Sequence, residues 1–165
     1  TRLSRGLGDV YKRQVLKVVY MLFQLTEPDL SVFGLKDFQQ LYLIKQMAKK
    51  YFPKLKIISA PTIRSKNGLA LSSRNSYLDE TSIKIAPLFY KILLDGINNL
   101  KSSNNYEETI KYITANLEKN RFLVNYVSFM TTELEKLKLN TSERKILLSS
   151  VKLGQTRLID NIEFN

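Results

Sequence analysis

Residues 15–60 alternate between two hydrophobic patterns in the order helix, strand, helix, strand. An apolar run at residues 15–25 predicts a helix that Pro28 ends, and residues 36–52 carry apolar side chains at helical spacing before Pro53. Short apolar segments at residues 30–33 and 56–60 predict two strands. This order is typical of a parallel α/β sheet, and we expect a sheet of only two strands to leave edges unpaired.

After residue 75 the pattern changes to two helices followed by three strands. Residues 79–100 predict one helix, with Pro87 marking a late start or a kink, and residues 106–119 predict a second helix. Asn105 with Glu108 three residues later forms its capping signal. The predicted strands span residues 122–129, 145–153 and 157–164, with a polar connection at residues 134–140 and a turn at Gly154. We therefore expect a small α+β domain whose boundary with the first lies between residues 60 and 75.

The first fourteen residues differ in character from the rest of the chain. They show no apolar period, and residues 9–14, DVYKRQ, resemble the in-frame translation of a transposase adapter used in preparing DNA libraries. We expect residues 1–14 to be an artefact. The alternative is a secretory signal, but residues 26–29, TEPD, offer no small-residue cleavage site, and the apolar run is too short to span a bilayer. We therefore expect a soluble cytoplasmic protein that does not contact a membrane.

The amino-acid composition excludes several kinds of structural site and catalytic mechanism. The 165 residues include no histidine and no cysteine, which excludes disulfides, zinc fingers, thiol nucleophiles and serine-histidine-aspartate triads. We predict no metal site made by protein side chains. The net charge of +11 raises the possibility of nucleic-acid binding, but the lysines are separated by apolar residues and are typical of solvated helix faces. We therefore expect no nucleic-acid partner.

The first candidate site lies where the first predicted strand meets a helix. Open α/β sheets bind ligands at such positions, and Gly34 permits close approach of a nucleotide. A helix N-terminus and Lys36 favour phosphate, while Asp37 can accept ribose hydroxyls. Helical spacing predicts that Gln40 shares a face with Lys36 and Asp37. Taken alone, these residues fit an ordinary strand-to-helix turn with solvent-facing charges better than a site.

The second candidate site is a polar loop at residues 67–75. The hydroxyls of Ser72 and Ser73 and the guanidinium of Arg74 can bind anionic oxygens, and Gly68 offers a hinge by which the loop closes on a triphosphate. The alternative is an interdomain loop in which Ser72 and Ser73 cap a helix. The residues by themselves favour neither interpretation.

Four segments together resemble the pantothenate synthetase (pantoate–β-alanine ligase) family in order and spacing. They are FGLKDFQQL at residues 33–41, PTIR at 61–64, NGLALSSRNSYL at 67–78 and LGQTRLIDN at 153–161. The resemblance covers residues 15–164. It implies part of a Rossmann-like nucleotidyltransferase (HUP-type) parallel sheet in residues 15–61 and a small α+β lid domain in residues 62–165.

The resemblance also implies an activity of the coenzyme A pathway. With ATP and Mg²⁺, pantoate would form pantoyl adenylate and pyrophosphate, and the amine of β-alanine would then displace AMP. The family's nucleotide-binding residues correspond here to Gly34, Leu35, Lys36, Asp37, Ile63, Leu71, Ser72, Ser73 and Arg74, and its pantoate ligand to Gln40. Of these, Lys36, Ser72, Ser73 and Arg74 would stabilise charge during catalysis. A homodimer is the expected assembly of the full-length protein.

Two departures from the family pattern stand out. Leu35 occupies a position where the family usually has glutamate. The family's His-x-Gly-His-type motif, which contacts ATP phosphates, belongs to an N-terminal half that this histidine-free chain lacks. We therefore expect the chain alone to be inactive or nearly so. The alternatives are another adenylate-forming or nucleotidyl-transferring enzyme of the same fold, and a basic interaction module.

Overall fold

The structure, a computed structural model, describes residues 7–137 and 143–165. The chain divides into two compact units at the Pro61–Thr62 bond. Short 3-10 turns occur at Leu35–Asp37 and Ser73–Tyr77. In chain order the other elements are α1 (Leu7–Thr26), β1 (Leu30–Gly34), α2 (Phe38–Tyr51), β2 (Lys56–Ala60), α3 (Glu80–Ile85), α4 (Leu88–Ser103), α5 (Tyr106–Lys119), β3 (Leu123–Thr131), β4 (Lys145–Leu153) and β5 (Thr156–Phe164).

The first unit contains the parallel pair that the sequence predicts. β1 pairs with β2 in parallel, with Val32 opposite Ile58. Phe23 of α1 packs its ring edge against Phe33 of β1, so the helices cover the sheet face that carries Phe33. Val32 and Ile58 are exposed, although a parallel sheet is normally covered on both faces. The core of the unit is formed by Phe23, Phe38, Leu41, Ile44 and Ala48.

Helix α1 begins earlier than its apolar pattern predicts. Its backbone is helical from Leu7, although residues 7–14 show no apolar period. Residues 1–6 lie outside the described residues, and the adapter origin of residues 1–14 stays a prediction. No helix in the described part of the chain is long and apolar enough to cross a membrane.

The second unit packs two helices against an antiparallel sheet of order β3-β4-β5. Its core is centred on Phe89, Leu93, Ile113, Leu147 and Val151, all of them almost fully buried. The single helix predicted over residues 79–100 is divided into α3 and α4, with Pro87 capping the start of α4, because proline cannot donate within a continuous helix. The polar connection predicted at residues 134–140 lies partly outside the described residues.

The cap predicted for α5 is present. The Oδ1 atom of Asn105 accepts a hydrogen bond from the backbone N–H of Glu108 at 3.1 Å. Asn105→Ala removes this acceptor, and we expect it to lower the free energy of unfolding by about 1 kcal/mol in urea denaturation. Asn98→Ala, at an exposed position of α4, is the matched control and should have little effect. Equal losses in the two variants would contradict a capping role.

Candidate functional site

The first candidate site lies at the C-terminal end of β1 in the first unit. Gly34 ends the strand with φ −74° and ψ 136°, and a Cβ atom there would meet no described atom within 4 Å. The fold of the described residues therefore does not itself require glycine at this position. Leu35, Lys36 and Asp37 form the 3-10 turn, and α2 starts at the buried Phe38. The strand end and the helix N-terminus are adjacent, as the sequence predicts.

The prediction that Lys36, Asp37 and Gln40 lie on one helix face is wrong in one respect. Lys36 and Asp37 precede α2, and Asp37 has φ −95° and ψ 54°, which is not helical. The helical spacing used to align them with Gln40 therefore does not apply, because only Gln40 lies in the first turn of α2. Asp37 is exposed, whereas Lys36 and Gln40 are half-buried. The site is a 3-10 turn followed by a helix N-terminus.

The second candidate site, in the second unit, begins with a short hairpin at residues 63–71, which we call the Arg64 hairpin. Leu71 N–H donates to the carbonyl of Ile63, and Ser65 N–H donates to the carbonyl of Leu69, both at 2.9 Å. Gly68 has φ +93°, and a Cβ atom there would approach the ring of Tyr90 to 3.2 Å. Gly68 therefore occupies a turn with positive φ beside the ring of Tyr90, and its role as a hinge stays a prediction.

Arg64 ties this hairpin to α4 and β5. Its Nη1 and Nη2 atoms donate to Oδ2 and Oδ1 of Asp160 at 2.6 and 2.8 Å, and Nη1 also donates to the carbonyl of Gly68 at 3.1 Å. The guanidinium carbon lies 3.5 Å from the ring centroid of Tyr90. Burial disfavours the charged form of Arg64, but hydrogen bonding and the charge of Asp160, with a contribution from Tyr90, outweigh it and raise the pKa of the guanidinium.

Sequence reasoning assigned no role to Arg64, Asp160 or Tyr90. Arg64 and Asp160 both lie in segments that carry the family resemblance, but they are 96 residues apart and nothing local pairs them. The structure singles out the two residues by their burial, since only 18% of the Arg64 side chain and 2% of the Asp160 side chain are exposed. An ion pair that is buried and bidentate fixes geometry in a way that a surface pair does not.

The hairpin leads into residues 72–74, which we call the serine loop. Ser72 caps the 3-10 turn, since its Oγ accepts from the backbone N–H of Arg74 at 3.3 Å, and Asn75 N–H donates to the Ser72 carbonyl at 3.1 Å. The capping role considered as the alternative is therefore present for Ser72. Ser73 and Arg74 are exposed. One hydroxyl thus shapes the turn, while the other and the guanidinium face solvent.

Two apolar side chains lie beside the serine loop. Ile63 is 64% exposed and Leu71 is 53% exposed, and the two residues are joined across the hairpin by a backbone hydrogen bond. Asn75 donates from Nδ2 to the carbonyl of Ala70 at 3.1 Å, whereas its Oδ1 is buried and has no hydrogen-bond partner among the described residues. A buried acceptor of this kind is a place for a donor from water or from a bound molecule.

The structure thus groups the predicted residues in two sets, one in each unit. Gly34, Leu35, Lys36, Asp37 and Gln40 lie together in the first unit, and Ile63, Leu71, Ser72, Ser73 and Arg74 lie together in the second. Within residues 7–137 and 143–165, no group of three or more acidic side chains has the arrangement needed to hold a metal ion.

Comparison with known proteins identifies the family. The sequence model described as Pantoate-beta-alanine ligase matches residues 8–163. A pantothenate synthetase of Buchnera aphidicola is 40% identical over 156 residues, which is 90% of this chain and 53% of the relative. The chain spans about half the length of the curated relatives it matches.

Solved structures show the same relationship. The pantothenate synthetase of Thermus thermophilus superposes with a TM-score of 0.77 at 32% identity, covering 90% of this chain and 54% of that one. The pantoate-beta-alanine ligase of Francisella tularensis, solved in complex with beta-gamma ATP and beta-alanine, gives a TM-score of 0.64 at 36% identity, covering 89% of this chain and 48% of that one. The predicted nucleotidyltransferase-type α/β fold is confirmed. The chain belongs to the pantoate–β-alanine ligase family.

Proposed function

We propose that this chain supplies part of the active site of an enzyme that joins pantoate to β-alanine at the expense of ATP. In the first step the pantoate carboxylate attacks the α-phosphate of ATP, which forms pantoyl adenylate and releases pyrophosphate. In the second step the β-alanine amine attacks the activated carbonyl, which forms the amide and releases AMP. Family membership and the ATP and β-alanine complex of the Francisella tularensis relative support this proposal.

The second unit provides the observation that carries the proposal. Ile63 and Leu71 are paired across the hairpin and expose apolar surface, and Leu71 directly precedes the serine loop, in which Ser73 and Arg74 are exposed. An apolar platform beside anion-binding groups matches the two chemical ends of a nucleotide, a purine ring and its phosphates. We assign Ile63 and Leu71 to the adenine side, and Ser72, Ser73 and Arg74 to the phosphates.

The first unit provides the complementary half of the proposed chemistry. The N-terminus of α2 is the positive end of the helix dipole, which attracts anions, and Lys36 adds a positive charge within the adjoining turn. We assign Lys36 to the charge that develops on the phosphate in the first step. Gly34, Leu35 and the exposed Asp37 would line the ribose, and Gln40 in the first turn of α2 would bind pantoate.

Further parts of the proposal rest on the family resemblance. We infer that residues 15–61 are the C-terminal part of an ATP-binding domain and that residues 62–165 form its lid domain. Because the described side chains provide no acidic cluster, Mg²⁺ would arrive with the phosphates of ATP. We also propose a cytoplasmic enzyme that forms a homodimer at full length and binds neither nucleic acid nor membranes.

The activity can be tested by comparing this chain with a chimaera. The chimaera joins residues 15–165 to the portion of the Buchnera aphidicola relative that the match leaves uncovered. We expect the chimaera to release AMP only when ATP, pantoate and β-alanine are all present. We expect the chain alone to turn over at least about 100-fold more slowly, because each missing transition-state donor costs about 2.7 to 4 kcal/mol.

The controls separate the competing functions. Substantial turnover by the isolated chain would contradict the expectation that it is inactive alone. Nucleotide that becomes stably attached to a product would indicate another nucleotidyl-transferring enzyme. If the chimaera folds but releases no AMP, and the chain instead binds nucleic acid with a steep salt dependence, it is a basic interaction module.

A further inference from the structure

We propose that Arg64 is a positioning residue, which Asp160 and Tyr90 hold in place so that the serine loop is fixed for binding phosphate. The proposal rests on the function assigned above to the serine loop, and it goes further by giving the two arginines of this segment different tasks. Arg74 would face the anion. Arg64 would never contact it, and would act through the Arg64 hairpin.

The hydrogen bonds of Arg64 leave it unsuited to binding a ligand. Both oxygens of Asp160 are engaged by its guanidinium, and Nη1 additionally donates to the carbonyl of Gly68. One face of the guanidinium lies 3.5 Å from the centroid of Tyr90. The charge of this guanidinium is balanced by Asp160 and its side chain is mostly buried, so it is less suited to binding a phosphate than an exposed arginine. Arg74, in contrast, is exposed.

A continuous chain of contacts leads from this ion pair to the serine loop. Arg64 pairs with Ala70 across the hairpin, and the carbonyl of Ala70 accepts from Nδ2 of Asn75. Asn75 in turn donates its backbone N–H to the carbonyl of Ser72. The loop is thus held at both ends, by the hairpin strand before it and by Asn75 after it. Because Asp160 belongs to β5 and Tyr90 to α4, the loop takes its position from the core of the second unit.

Asp160 is itself oriented by the backbone. Its Oδ1 accepts from the N–H of Asn161 at 2.8 Å, in addition to the bond from Arg64. This second hydrogen bond helps to hold the carboxylate in the orientation that pairs with Arg64. Asp160→Asn keeps the size and one acceptor oxygen but removes the charge and the second acceptor. Arg64→Lys keeps the charge but removes the bidentate geometry and the planar stacking on Tyr90.

The decisive experiment measures amide hydrogen exchange in this chain by NMR. We expect Asp160→Asn and Arg64→Lys each to speed exchange of the Ser65, Leu71 and Asn75 amides by about tenfold or more, because these amides report opening of the hairpin and the turn. Exchange at Leu148, in the middle of β4, should change much less. Arg157→Lys is the matched control, since Arg157 lies on β5 but donates to Ser150 rather than to the hairpin; it should leave all of these amides unchanged.

Nucleotide binding provides the second readout. If the chain binds ATP, Asp160→Asn and Arg64→Lys should raise the Kd about five- to tenfold, with faster exchange in the hairpin. Arg74→Lys should raise the Kd with no change in hairpin exchange. Replacing an anion-binding arginine should therefore change only the Kd, whereas replacing a positioning arginine should change both the Kd and the amide exchange of the hairpin.

The results that would overturn the positioning role of Arg64 differ from the results that would overturn the proposed function of the serine loop. Hairpin amides that stay as protected in both variants as in the unaltered chain would overturn the positioning role. Loss of protection to the same degree at Leu148 would also overturn it, because the ion pair would then stabilise the whole unit and not the loop. Should Asp160→Asn fail to fold, Arg64→Lys decides alone. If the unaltered chain binds no ATP, the assignment of the serine loop in this chain fails, while the exchange data still decide whether Arg64 fixes the loop.

Discussion

Replacing Lys36 by methionine in the chimaera should lower kcat for AMP release by about 10²- to 10³-fold while changing the KM for ATP little. Lys36 lies in the turn between β1 and α2, where its ammonium adds to the positive end of the helix. If this charge acts on the phosphate as negative charge develops there, its loss raises the barrier more than it weakens substrate binding. The first step can be followed separately as pyrophosphate released from ATP and pantoate without β-alanine.

Lys45→Met is the matched control for this experiment. Lys45 is an exposed lysine of α2, about two turns from the start of that helix, so its replacement makes the same change in net charge away from the turn. It should leave kcat unchanged. A KM for ATP that rises while kcat holds would assign Lys36 to ground-state binding, and equal effects of the two replacements would remove Lys36 from the site altogether.

Local signals in the sequence place most of the elements. β2, α5 and β4 have the predicted bounds, because each is delimited by a residue with a direct backbone effect. Pro61 follows β2, the side chain of Asn105 caps α5, and Gly154 forms the turn after β4 with φ +58°. These effects act within a few residues, so they can be recognised without knowledge of the tertiary structure.

The features that sequence reasoning missed depend on distant partners. The turn at Gly68, for example, lies against the ring of Tyr90 in α4, while its role as a hinge stays a prediction. The predicted helix includes Lys36 and Asp37, whereas α2 starts at Phe38 after a 3-10 turn, so the helical spacing does not align these two residues with Gln40. Arg64 and Asp160 are 96 residues apart, and Asp160 lies on β5, which pairs with β4, so no local pattern could have revealed their pairing. The family resemblance includes the two segments that contain Arg64 and Asp160, whereas only the structure shows that these two residues form an ion pair.

Gly96→Ala should destabilise the second unit by about 2 kcal/mol, although alanine is the better helix former by about 1 kcal/mol. Gly96 is buried in the middle of α4, and a Cβ atom there would overlap Cγ1 and Cδ1 of Ile113 on α5. Ile113 is fully buried, so its side chain cannot turn out toward solvent to make room. Close packing therefore outweighs helix propensity at this position. Urea denaturation followed by far-ultraviolet circular dichroism measures the difference.

A second change tests whether contact with Ile113 is the cause. Ile113→Ala alone should cost about 2 to 5 kcal/mol through the cavity it leaves. In the double variant the methyl group introduced by Gly96→Ala enters part of that cavity, so the combined loss should fall short of the sum of the single losses by about 1 kcal/mol or more, as expected for residues in contact. Asp95→Ala, at an exposed position of α4, measures helix propensity without the contact and should be close to neutral. Additive losses, or a Gly96→Ala variant more stable than the unaltered chain, would mean that α4 and α5 separate at little cost and that glycine is not required for their approach.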